Sequence, residues 1–239
     1  SLNFAYTFYL NMYHNNSVDK QQLKHYVQRW FVMSLLTGRY SGSAETQMNK
    51  DLKEMQEQGY VEYLEKVENT FLTPDFWSTL LVSMLEVANP NSPFFLVYLA
   101  AQIFSQDKSL LHNTIGIKVA TNKNGDIHHI FPKAYLHSNG VTEQRLQNQV
   151  ANFASVDKVV NVAISDKAPN IYFTEALEQC RGGEIRIGTI TDESEFWDNL
   201  DRNCIPRSVV NMTANDYLDF LAERRKLMAE KIRKYYYSL

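Results

Sequence analysis

Apolar residues recur at helical spacing through most of this 239-residue chain. Leu23, Tyr26, Val27, Trp30, Phe31 and Leu35 form one stripe that closes at Gly38, with Ser17 as the expected N-cap. The small residues of 38–43 break that helix, and Ser43 starts a more polar one through Leu52 and Met55 to Gly59, so the two are expected to pack antiparallel. Residues 75–87 and 93–104 are apolar on most faces, bounded by Thr73-Pro74 and by Asn89-Pro90-Asn91-Ser92-Pro93, and predict buried helices. Before them, residues 2–13 carry Leu2, Phe4, Tyr6, Phe8, Tyr9, Leu10 and Met12 with no capping signal. Such an abrupt start fits a domain junction or a buried N-terminal helix.

The pattern changes after about residue 112. Ile115, Ile117 and Val119 alternate as in a strand over 114–119, and residues 122–126 are turn chemistry leading into a second apolar run at 127–130. Short helical pieces are expected at 133–136 and 142–146, and a strand at 152–156. Asp157 then caps a helix over 158–164. Further helices are predicted over 170–180, 192–203 and 216–237. The last has Leu218, Leu221, Leu227, Met228 and Ile232 on one side, with Arg224, Arg225, Lys226, Lys231, Arg233 and Lys234 on the other. The fold class is therefore mainly α with a small α+β insert: a helical layer over 1–112, an insert over 113–175 and a C-terminal helical segment over 176–239 that packs back on the first.

Composition narrows this picture. Hydrophobic content of 44% suits a large core, while a net charge of -3 leaves no global basic excess for a polyanion, so any nucleic-acid contact must be a local patch. Cys180 and Cys204 have no CxxC partner, which argues against a zinc ribbon or disulfide framework and makes a reducing cytoplasm the simplest setting. No stretch reads as a targeting or membrane-spanning segment. Trp30, Trp77, Phe94 and Tyr98 read as core at helical spacing. Arg39 stands on a glycine-flanked turn from which it can reach a phosphate, although a helix C-terminal cation is the plainer reading.

The chemistry concentrates in residues 125–132, Gly-Asp-Ile-His-His-Ile-Phe-Pro, taken with Asn152 and Asn161. Neighbouring strand residues face opposite sides, so His128 and His129 are expected to have different duties. One turn into the helix capped by Asp157, Asn161 would turn its amide oxygen back toward the strands as a neutral metal ligand. Asn152 would clamp the backbone of the histidine segment. Phosphodiester hydrolysis needs such a set: a divalent cation against the developing charge and a base titrating near neutrality.

These residues, with the Ser-Asp-Lys-Ala-Pro tail of 165–169, resemble the HNH (ββα-metal) nuclease motif in the form carried by GmrSD-type modification-dependent restriction enzymes. The asparagine spacing is also similar to that of the HNH domain of RNA-guided CRISPR nucleases. Weaker likenesses at 29–31, 38–42 and 224–229 extend the resemblance over nearly the whole chain. It implies that His128 and Asn161 hold a metal, magnesium by expectation and manganese as an acceptable substitute. It further implies that His129 is the general base and Asn152 its support, in a DNA endonuclease or nickase of restriction or phage defence. Asn161 stands where many HNH enzymes have histidine. The family's N-terminal ParB-like nucleotide-binding domain is not in this sequence, so target choice is expected to lie outside it. Lys133, Arg145, Lys158, Lys167 and Arg39 are the candidate DNA contacts. The alternative is a non-catalytic DNA-binding or interaction module on the same scaffold, dependent on that missing domain.

Overall fold

The computed structural model of the chain describes residues 1–15, 18–122 and 126–239, with backbone alone at 120–122 and 126. The expected cap Ser17 and the turn residues 123–125 lie outside the described residues. The fold is mainly helical, with one two-stranded antiparallel sheet among the described residues. No helix among them is long and apolar enough to cross a membrane. Backbone contacts divide the chain into two units, Ser1–Leu81 with Ile232–Leu239, and Val82–Lys231. This division cuts the chain at other points than the three segments expected from the sequence, and it groups the end of the last helix with the N-terminal residues.

The first unit contains α1 (Leu2–His14), α2 (Leu23–Leu36), α3 (Ala44–Gln58) and α4 (Tyr60–Phe71), followed by a π-helical turn, Phe76–Leu80. Its core is aromatic. Trp30 is fully buried, with the Phe8 ring centroid 5.3 Å away and Tyr63 at 6.0 Å. Helix α2 stops at Gly38, whose φ of +60° lets Arg39 N–H reach back to Ser34 C=O at 3.1 Å and satisfy a terminal carbonyl. Both expected helices form, but α2 packs mainly on α1 and α3 on α4, so the antiparallel α2/α3 pair expected from the sequence is a correction. Tyr60, Tyr63, Leu64 and Val67 are the buried stripe of α4, at helical spacing that its charged neighbours dilute.

The second unit begins within α5 (Leu81–Met84) and continues through α6 (Pro93–Phe104) and α7 (Ile117–Asn122). Ser92 caps α6 by accepting Phe95 N–H at 3.3 Å, with Pro93 in the first turn, as the sequence predicts. The strand expected over 114–119 is a correction. Lys108 and Gly116 make only an isolated antiparallel bridge, and the chain then turns helical from Ile117. Leu110 N–H and Ser109 Oγ both donate to Ser155 C=O at 3.0 Å, so a folded loop covers that point of the sheet and a third strand does not. Asn199 fixes the loop, accepting Leu111 N–H and donating to Ser109 C=O.

The sheet itself is β1 (Asp126–His129) against β2 (Phe153–Val156), with His128 opposite Ala154 and His129 opposite Phe153. Between the strands lie α8 (Lys133–Ser138), α9 (Gln144–Gln147) and a 3-10 turn, Val150–Asn152. Helix α10 (Lys158–Ile164) follows β2 at once, capped by Asp157, whose carboxylate accepts Val159 N–H. The unit continues through α11 (Pro169–Cys180), α12 (Glu193–Arg202) and most of α13 (Tyr217–Tyr237). The two-sided reading of α13 needs correcting. Leu218 is exposed, whereas Arg224 is buried and donates to Ala151 C=O at 2.8 Å and Asn203 C=O at 3.2 Å. Lys231 meets the buried Asp107 at 2.6 Å. These cations turn inward because loop carbonyls and a buried carboxylate need donors there.

Candidate metal and histidine site

Strand β1 and helix α10 bring His128 and Asn161 together. The His128 Nδ1 and Asn161 Oδ1 atoms stand 2.8 Å apart. An amide oxygen only accepts, so Nδ1 carries the proton in this contact and Nε2 holds the lone pair. That Nε2 is buried and has no hydrogen-bond partner among the described residues. The ring is 4% exposed and stands edge-on to Tyr172 at 6.2 Å. Burial pushes its pKa down to about 4, helped by the nearby His129 and opposed by the Asn161 contact.

A cation would fit this pair only by displacing the Nδ1 proton, which would then sit on Nε2. Neighbouring ligands of an octahedral ion at about 2.1 Å stand ~3 Å apart, close to the observed separation. Deprotonated at Nδ1, the imidazole would join the amide Oδ1 as a second neutral donor, of the kind that suits an ion keeping waters and substrate oxygens. Among the described residues there is no group of three or more His, Cys, Asp or Glu side chains that holds a metal by itself.

His129 turns to other partners. Its Nε2 meets Asn148 Oδ1 at 3.0 Å, and its ring stands edge-on to Phe153 at 5.0 Å. Burial lowers its pKa, the Asn148 contact opposes this, and the charge of Lys133 lowers it further. It is therefore neutral at physiological pH.

Asn152 is fully buried. Its Oδ1 accepts Phe131 N–H at 2.8 Å, while its Nδ2 donates to Phe131 C=O and Gln147 C=O, each at 3.0 Å. The side chain thus replaces a ladder rung just past β1, as the clamp reading expects, from the 3-10 turn before β2 and not from the strand. Tyr172 of α11 adds a second tie, its hydroxyl donating to Ile130 C=O at 2.9 Å.

The expected cations divide. Lys133, Arg145 and Lys158 are exposed on the same unit as the histidines. Lys167 is paired with Glu175 at 2.6 Å. Arg39 belongs to the first unit, where its guanidinium is bidentate on the buried Asp51 and also meets the Tyr63 hydroxyl at 3.1 Å. Its side chain is 8% exposed, so the turn that looked ready to offer it to a phosphate instead folds it onto a carboxylate. A cavity of about 450 Å³ in the second unit is lined by Lys108, His112, Asn199 and Arg202 among others, and includes neither His128 nor His129. Sequence reasoning passed over Asn148 and Tyr172, because neither falls in the motif and each meets it only through folding.

No family model matches the chain, and no solved structure matches it. Among curated proteins it is similar to an uncharacterized protein of Methanocaldococcus jannaschii, 26% identical over 227 residues. The match takes in 86% of this chain and 36% of that protein, so the chain spans about a third of the relative's length.

Proposed function

We propose that this chain is a metal-dependent DNA endonuclease or nickase built on an HNH-type ββα unit. The observation that carries the reading is the convergence of His128 Nδ1 and Asn161 Oδ1, 2.8 Å apart, between β1 and the helix that follows β2. His128 and Asn161 hold magnesium or manganese in this reading. When bound, the cation supplies charge neutralisation at the scissile phosphate and at the leaving oxygen. His129, neutral and half-buried, takes the proton of the attacking water at Nδ1. Asn152 holds the backbone beyond the histidines, and exposed Lys133, Arg145 and Lys158 offer charge to the DNA backbone. The resemblance in the motif points to restriction or phage defence, and Cys180 and Cys204, both free thiols, suit a reducing cytoplasm. The resemblance also assigns target choice to a ParB-like nucleotide-binding domain beyond this sequence.

The test is plasmid nicking with magnesium or manganese. Wild type is expected to leave 5′-phosphate and 3′-hydroxyl ends, and His129→Ala to lose about 100- to 10,000-fold in rate with an unchanged far-UV circular dichroism spectrum. Equal cleavage by the variant would sink the assignment. Calorimetry should show cation binding that His128→Ala and Asn161→Ala both remove. DNA binding that survives chelator, with no cation bound, would point to the non-catalytic module instead.

A further inference from the structure

The contact between His129 and Asn148 carries more than packing. The Asn148 Oδ1 can only accept, so it requires a proton on His129 Nε2 and leaves the lone pair on Nδ1. No protein group engages that Nδ1 among the described residues, while the ring plane is set by the edge-on Phe153. Among the described residues, the charged or titratable groups that act on this ring are Lys133 and His128, and neither accepts from Nε2.

Asn148 is itself held from both sides. It is the C-cap of α9, its N–H bonded to Gln144 C=O at 3.0 Å. The carbonyl of Leu146 accepts the Tyr217 hydroxyl at 2.9 Å, and the Gln149 side chain accepts from Arg225 at 2.7 Å. Val150 N–H reaches Val87 C=O at 2.8 Å. These contacts fix the backbone that carries Asn148 and so restrict where its side chain can stand. Such fixed outer partners set the tautomer and orientation of functional imidazoles.

We infer that Asn148 is a positioning residue that locks His129 as its Nε2–H tautomer and so presents Nδ1 to the substrate side. The inference rests on the nuclease reading for its purpose, and on the hydrogen-bond geometry alone for its existence. It extends the site to the linker between the strands: α9 is present to carry the third member of a His128–His129–Asn148 arrangement.

Long-range 1H–15N spectra of histidine-labelled protein test this directly at a pH where the imidazoles are neutral. His129 should show a protonated Nε2 and a bare Nδ1 in wild type, a mixture of tautomers in Asn148→Ala, and the locked form again in Asn148→Asp. In the nicking assay Asn148→Ala should lower kcat about 10- to 100-fold with KM for plasmid unchanged, and Asn148→Asp should restore most of it. A mixed tautomer in wild type, or an Ala variant with unaltered tautomer and kcat, overturns the proposal. A locked wild-type tautomer in a protein that nicks nothing upholds the positioning and defeats the nuclease reading, so the two fail separately.

Discussion

Two buried polar clusters, one in each unit, are put to opposite uses. In the first unit Asp51 is fully buried, and its carboxylate is met by Arg39, Tyr40 and Tyr63 hydroxyls, and Gln47, so that both oxygens have partners. In the second, His128 is nearly as buried, yet it makes one hydrogen bond and leaves Nε2 with none among the described residues. A saturated cluster fixes a structure. An unsaturated one keeps donor capacity that folding has not consumed, and a buried polar atom left so costs about 1–3 kcal/mol. That contrast is why the histidine strand, and not the arginine turn, is the candidate for chemistry.

The sharpest way to break the comparison is to unsaturate the first cluster. Asp51→Ala strands the Arg39 guanidinium in a site that is 8% exposed, and should cost about 3–5 kcal/mol in urea unfolding. Cation binding at His128 should be unaffected. A loss under about 0.5 kcal/mol would mean that the Asp51 cluster does not hold the unit together.

Acid should act next on the second cluster. His128 titrates at about 4 when folded, against about 6.5 unfolded. The folded state therefore binds fewer protons between these values, and the stability present above pH 6.5 drains away as pH falls toward 4. The loss is about 3 kcal/mol, read as the difference in acid sensitivity between wild type and His128→Asn. Parallel pH curves would show that the buried ring is not kept neutral.

The smallest effect expected is on stability when the candidate ligand pair is dismantled. Asn161→Leu removes the neutral hydrogen bond to His128, and unfolding should shift by only about 1 kcal/mol while calorimetric cation binding disappears. If stability collapsed instead, Asn161 would belong with Asp51 as a structural group.

Local signals were legible along the chain wherever one residue decides a backbone conformation. Ser92-Pro93 starts α6, Asp157 starts α10 and Gly38 ends α2, each for a reason confined to a single turn. The clamp by Asn152 was also legible, because an asparagine beside a strand end has few other ways to satisfy its amide when buried. Less visible was α4, whose apolar stripe is interrupted by Glu62, Glu65 and Lys66. The strand expected over 114–119 failed because alternation says nothing of a free sheet edge, and loop contacts from Ser109 and Leu110 occupy the relevant point of β2.

The sequence by itself determined the helical character, most turn and cap positions, and which side chains are candidates for chemistry. Only the tertiary structure decided which partner each of them meets. Arg39 finds Asp51 12 residues away, His129 finds Asn148 at 19, His128 finds Asn161 at 33, and Arg224 finds the Ala151 carbonyl at 73. Periodicity and capping act over one or two turns, whereas burial and hydrogen-bond satisfaction are settled between segments that meet only when the chain closes. A cation that looks solvated in sequence turns inward when a distant carbonyl would otherwise be left bare.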